Sequence, residues 1–268
     1  MGYPKISSLL FIHFHSHFHP MLSSSVGIIT GGCSGLGRSA ALRILRSGGS
    51  AVLADLPSQS HLADPLIEEF GAAKCAFSPT DVTSEEDVNR ALDKAEDSGM
   101  GVVNVAVNCA GIATPSKVLG KRGVHDLELF ANVLKVNTVG TFNVNRLSAS
   151  RMSSLPPCPS GLRGVLINTA SIAAYDGQVG QCAYAASKGA VVSMTLAMAR
   201  DLAPTGIRCM TIAPGLFLTP LLEGLPEKVK EELGRQIPCP NKLGDPEDFG
   251  KMVEAIVTNP MLNGETIR

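Results

Sequence analysis

Three absences narrow the field before any motif is read. None of the seven cysteines, at positions 33, 75, 109, 158, 182, 209 and 239, stands in a CxxC spacing. That argues against a zinc site or a disulfide frame and for small core fillers in a reducing compartment. An excess of one charge is also missing, with 23 Lys+Arg against 24 Asp+Glu and a net charge of -1. The basic residues are scattered, so no broad field attracts a phosphate backbone and direct nucleic-acid binding is not expected. A bilayer-spanning stretch is lacking too. The apolar run Leu9 to Phe18 is short and interrupted by His13, His15 and His17, and it has no clean small-residue cleavage site. Those histidines and His19 have no partner ligand nearby, so residues 1–25 are expected to be a poorly ordered extension and no metal is expected.

What is present is a core. The chain has 268 residues, 44% hydrophobic and 18% charged, enough for one large α/β domain over 26–268. Continuous apolar runs at 26–30, 51–54, 103–107, 165–169 and 207–212, with a further strand at 74–78, read as buried strands. Helical patterns at 39–47, 126–151 and 183–202 separate them. Thr83-Ser84-Glu85-Glu86 is a capping box for a helix through Ala95, and Asp245-Pro246 caps the last clear helix. Strands alternating with helices predict a doubly wound parallel sheet of the Rossmann type, with helices on both faces. Leu155–Gly161 reads as an exposed connection.

Between the first strand and first helix lies Thr30-Gly31-Gly32-Cys33-Ser34-Gly35-Leu36-Gly37. Gly31 permits a tight turn, Gly35 a close approach of pyrophosphate, and Gly37 close packing of helix on strand. Ser34 and Leu36 complete the turn, and the helix start offers free N–H groups to phosphate. Asp55 ends the second strand, where a carboxylate accepts hydrogen bonds from a ribose and repels a 2′-phosphate. Arg38 is expected to turn away as the helix proceeds, so NAD is favoured over NADP. Asp81 and Val82 are expected near the adenine. Asn108, Ala110 and Gly111 lie at the carboxyl end of the fourth strand, where such sheets gather ligands. Cys109 between them reads as packing, with no activating histidine in sequence.

Ser171 follows the fifth apolar strand, and Tyr184 and Lys188 share a helix face at i, i+4. A tyrosine ordinarily titrates near ~10, and a nearby ammonium favours the phenolate, making Tyr184 a proton carrier. Ser171 would orient the alcohol or carbonyl oxygen, Lys188 would lower the tyrosine pKa and contact ribose, and Asn137 would extend a relay to Lys188. With only three tyrosines in the chain, the i, i+4 pair alone could be chance. Its coincidence with Ser171 and the glycine turn favours an oxidoreductase.

These motifs, in this order and with Pro214-Gly215, resemble the short-chain dehydrogenase/reductase family across residues 26–268. The resemblance implies a catalytic tetrad of Asn137, Ser171, Tyr184 and Lys188. It implies further cofactor contacts at Pro214, Gly215, Phe217 and Thr219, and substrate contacts at Ser171, Gln178, Gln181, Tyr184 and Leu218. Gly177–Gln181, Arg200–Pro204 and Thr211–Phe217 are similar to a mitochondrial branch of the family. That branch implies NAD-dependent oxidation of short-chain and 2-methyl-branched 3-hydroxyacyl-CoA, some 17-beta-hydroxysteroid oxidation, a homotetramer and a matrix location, with the cytoplasm as the alternative. It also implies a tRNA methyltransferase and a nuclease as partners in tRNA 5′-processing. Another oxidoreductase specificity and a non-enzymatic scaffold remain the competing readings. Two departures stand out: Leu218 where a glycine is expected, and an end at Arg268 partway into the last strand, which implies weakened stability and assembly.

Overall fold

Alternation along the strands decides the architecture. β1 (Val26–Thr30) turns Ile28 and Ile29 to opposite sides, and after α1 (Gly35–Arg46), β2 (Ser50–Asp55) does the same with Val52 and Leu53. All four side chains are fully buried, so both faces of the sheet need cover. A computed structural model, which describes residues 22–268 except 122 and 225, shows how that cover is supplied. In chain order there follow α2 (Ser60–Phe70), β3 (Cys75–Pro79), α3 (Glu85–Asp97), β4 (Val105–Asn108) and a small hairpin of β5 (Leu119–Gly120) and β6 (Gly123–Val124). Next come α4 (Leu127–Leu134), α5 (Thr141–Ser153), β7 (Gly164–Thr169), α6 (Cys182–Leu202) and β8 (Ile207–Ile212). The chain closes with α7 (Pro220–Glu223), α8 (Glu227–Gly234), α9 (Pro246–Thr258) and β9 (Thr266–Ile267).

Among the described residues, seven strands form one parallel sheet in the order β3-β2-β1-β4-β7-β8-β9. On one face Ile44 of α1, Leu66 of α2 and Phe249 of α9 pack with Ile29, Leu53 and Ile167. On the other, Leu92 of α3, Met152 of α5 and Met198 of α6 pack with Ile28, Val52 and Leu166. Each fully buried aliphatic side chain contributes about 2 kcal/mol by leaving water. This is the doubly wound Rossmann arrangement. Its order reverses between β1 and β4, which opens a crevice at the carboxyl ends of those strands.

The structure adjusts several local expectations. Ser84, not Thr83, caps α3, because its side chain accepts the N–H of Asp87. The long helix expected over 126–151 is interrupted by a π-helical segment, Lys135–Gly140. Leu22–Ser24 forms a 3-10 turn with Leu22 in the core, so packing begins before residue 26. The alternating histidines lie outside the described residues. β9 is two residues long and pairs with Thr211 and Ile212. Among the described residues, no helix is long and apolar enough to cross a membrane, and no cluster of three or more His, Cys, Asp or Glu is placed to hold a metal.

Candidate active site

The crevice is a 510 Å³ cleft floored by the glycine turn and walled by Asp55, Asp81, Val82, Ala110, Gly111 and Thr219. Its shape depends on missing side chains. Gly31 has φ +62°, and a Cβ on it would stand 3.0 Å from the Ala110 nitrogen. A Cβ on Gly37 would stand 2.1 Å from the Gly31 carbonyl oxygen, so α1 closes onto the turn only because residue 37 is glycine. Ser34 takes the N-cap position in extended backbone, with no cap hydrogen bond from its side chain. The N–H groups at the start of α1 therefore face the cleft where Gly35, Leu36 and Gly37 line it, a ready seat for phosphate.

Asp55 holds the turn while keeping acceptor capacity. Cys33 N–H donates to its Oδ2 at 3.0 Å and Leu56 N–H to its Oδ1 at 2.9 Å. The Cys33 thiol also hydrogen-bonds to this carboxylate, which with about four lone-pair sites still keeps acceptor capacity. Burial, with Asp55 next in effect, pushes the Cys33 thiol up to about 12. Arg38 does not line the cleft and gives its Nη1 to the Leu62 carbonyl of α2 at 3.0 Å. Asp81 folds on itself, its Oδ1 accepting from both the N–H and the hydroxyl of Thr83. Burial raises the Cys109 thiol to about 11.

Beside the cleft, and outside its lining, the helix α6 carries Tyr184 and Lys188. Lys188 is 5% exposed, and its Nζ donates to the Thr169 carbonyl at 2.7 Å. Burial brings its pKa down to about 8. The ammonium stands 5.7 Å from the Tyr184 ring centre. Tyr184 shares a side-chain hydrogen bond with Ser171, which lowers its pKa, but burial outweighs it and the net shift is upward. The expected lowering of the tyrosine by Lys188 is thus not what the protein alone shows. The phenol is desolvated, and the lysine's proton is directed at a backbone carbonyl. Asn137 is wholly buried in the π-helical segment, a feature often found at functional sites. Its Oδ1 accepts the Ile112 N–H at 2.8 Å, and its Nδ2 donates to the Ile112 carbonyl at 2.9 Å. Thr169 and Gly111 border both the cleft and Lys188, so the Ser-Tyr-Lys group adjoins the cleft.

Residues 25–230 match the short chain dehydrogenase family. The chain belongs to that family. Its sequence is 56% identical over 245 residues to the human "3-hydroxyacyl-CoA dehydrogenase type-2", covering 91% of this chain and 92% of that protein. It is 52% identical to the protein of the same name from Drosophila melanogaster, covering 92% and 96%. A crystal structure of 3-hydroxyacyl-CoA dehydrogenase type-2 from Mycobacterium avium superposes with a TM-score of 0.87 at 36% identity, covering 92% of this chain and 95% of that one.

Not every position expected from the family pattern reaches the site. Asn108 turns its side chain away from the cleft into a buried cluster, giving Nδ2 to Asn145 at 2.8 Å and to Asn168 at 3.0 Å. Strand alternation forces this, since Cys109 next to it faces the cleft. Phe217 packs its ring on Gly244 and the core. Leu218, held by its N–H to the Gly244 carbonyl at 2.8 Å, lines a neighbouring crevice outside α1 with Arg38 and Lys242. Pro214 and Gly215 sit against Ile172, the residue after Ser171. Gln178 is exposed and Gln181 half-buried, on the loop that leads into α6. That loop is paired to the opposite segment by the Ser116 N–H on the Gly180 carbonyl at 2.7 Å. Sequence reasoning passes over Thr169, whose useful group is a backbone carbonyl, and Ile112, which anchors Asn137 through its main chain; neither role leaves a side-chain signature.

Proposed function

We propose that this chain oxidises 3-hydroxyacyl-CoA to 3-ketoacyl-CoA with NAD as the acceptor. The observation that carries the reading is the junction of the two half-sites at Thr169 and Gly111, supported by the names of the similar proteins. The residues fit NAD: the glycine floor admits a diphosphate, the α1 N-terminus faces it, and Asp55 keeps acceptors free for ribose hydroxyls. When bound, NAD supplies the nicotinamide ring that accepts hydride. The chain's own residues do the rest. Ser171 holds the substrate oxygen beside the Tyr184 hydroxyl. Tyr184 as phenolate takes the hydroxyl proton as carbon 3 is oxidised, and as phenol it returns a proton in the reverse direction. Lys188 sets positive charge beneath the tyrosine, and Asn137 fixes the Gly111–Ile112 backbone that walls the site.

The direction of the Tyr184 shift gives the pH dependence a sign. A raised pKa keeps the phenol protonated at neutral pH, which suits ketone reduction and starves oxidation of its base. Oxidation rates should climb as pH rises toward the tyrosine's range, and reduction rates should fall. Initial rates of NADH formation from 2-methyl-3-hydroxybutyryl-CoA, and of NADH consumption with the corresponding ketone, test both halves. Folded, NAD-bound protein that forms no NADH from any 3-hydroxyacyl-CoA contradicts the proposal.

Cofactor choice is placed on Asp55. Asp55→Asn keeps an acceptor for the Cys33 N–H but removes the charge that repels a 2′-phosphate. The ratio of kcat/KM for NAD over NADP should fall at least about tenfold, a change worth about 1.4 kcal/mol. Steady-state kinetics with the two cofactors measure it.

A further inference from the structure

We propose that Ser187 is a positioning residue for this reaction, the tie that fixes Asn137 against the helix carrying Tyr184 and Lys188. The proposal rests on the dehydrogenase reading above. Ser187 is 0% exposed. Its hydroxyl donates to the Tyr184 carbonyl at 2.7 Å and accepts from Asn137 Nδ2 at 3.0 Å. A hydroxyl bonded back to its own helix adds little to helix stability, so helix formation does not account for a serine here. Because its hydrogen is committed to Tyr184, its lone pairs are set toward Asn137. The Ser187 carbonyl also accepts the Thr138 hydroxyl at 3.2 Å, so the π-helical segment is tied to α6 at two points beside Lys188.

Asn137 spends one Nδ2 hydrogen on Ile112 and the other on Ser187. Removing the serine hydroxyl strands a donor in a site with no exposure, which the structure relieves only by moving Asn137. Ile112 and Gly111 move with it. A Cβ on Gly111 would lie 3.1 Å from Asn137 Oδ1 and 3.5 Å from Lys188 Nζ, so the shift reaches the wall between Lys188 and the cleft. The Asp55 end of the cleft is held by separate bonds and stays in place. Loss should therefore appear in kcat and not in the KM for NAD.

The test is a double-mutant cycle of Ser187→Ala and Asn137→Ala, read as kcat, KM for NAD and NADH binding. Ser187→Ala should lower kcat about tenfold, the size expected for one buried hydrogen bond, with KM for NAD within about twofold of the parent. Because both residues act through one contact, adding Ser187→Ala to Asn137→Ala should cost nothing further. Ser187→Cys keeps the volume with a poor acceptor and carries the same expectation if the alanine variant does not fold. Parental kcat in the Ser187 variants, or losses that multiply in the double variant, overturns the proposal while leaving the dehydrogenase reading intact. An inactive parent chain overturns that reading, and this proposal with it.

Discussion

Tyr184→Phe is expected to cut NADH formation about a thousandfold, within the range general acid–base groups contribute, while NADH binding stays close to the parent value. The ring is needed for packing and the hydroxyl for chemistry. Phenylalanine keeps the half-buried ring on α6 and the contact with Lys188 Nζ, which lies 5.7 Å from the ring centre. It removes the group that shares a hydrogen bond with Ser171 and can exchange a proton with the substrate oxygen. Ser171 keeps its second role, accepting the Ala173 N–H at 3.1 Å, so the loop after β7 does not collapse. Turnover with 2-methyl-3-hydroxybutyryl-CoA and an NADH titration by fluorescence read the two quantities separately. A variant that retains a tenth or more of parental activity would remove Tyr184 from the reaction.

The second large effect lies in the cleft itself. Gly37→Ala places a methyl group 2.1 Å from the Gly31 carbonyl oxygen and 2.7 Å from the Gly31 carbonyl carbon. Neither neighbour is a side chain that can swing aside, so α1 must lift from the turn. Lifting it pulls the α1 N–H groups from the cleft and strains packing between α1 and α9, which are joined by the Ser39 hydroxyl on the Pro246 carbonyl at 2.6 Å and by the Arg43–Glu254 ion pair. NAD affinity should drop on the order of a hundredfold, and stability should fall by about 2–3 kcal/mol, as for an overpacked core. Cofactor titration and urea unfolding check the two parts. A Gly37→Ala variant with parental affinity would mean that the turn does not seat the diphosphate.

Most of the sheet is legible because its strands are buried on both faces and read as unbroken apolar runs. Val26–Thr30 and Ile207–Ile212 have the same bounds in the sequence pattern as in the structure. Helix α6 is legible to within one residue at its start for the same kind of reason, a long apolar-rich stretch with i, i+4 partners. What stays hidden is what local pattern does not encode. A π-helical segment of six residues is too short to stand apart from 3.6-residue periodicity, so the stretch that presents Asn137 reads as ordinary helix. The β5–β6 hairpin leaves Leu119 and Val124 exposed, and strands of two residues offer no alternation to detect. Asn108 and Phe217 take their expected cofactor roles only from their place beside the right loop. Their direction depends on strand parity for one and on the Phe217–Gly244 bridge for the other. The sign of the Tyr184 shift depends on burial, which sequence neighbours do not reveal.

In the proposed reaction hydride leaves carbon 3 of the substrate toward the nicotinamide seat while the proton on its oxygen leaves toward Tyr184. Oxidation of 3-hydroxyacyl-CoA deuterated at carbon 3 tests it most directly. The deuterium should be recovered in the reduced cofactor, and Tyr184→Phe should slow this transfer without changing where the label goes. Deuterium released to solvent, or transfer at the parental rate in the phenylalanine variant, would contradict it.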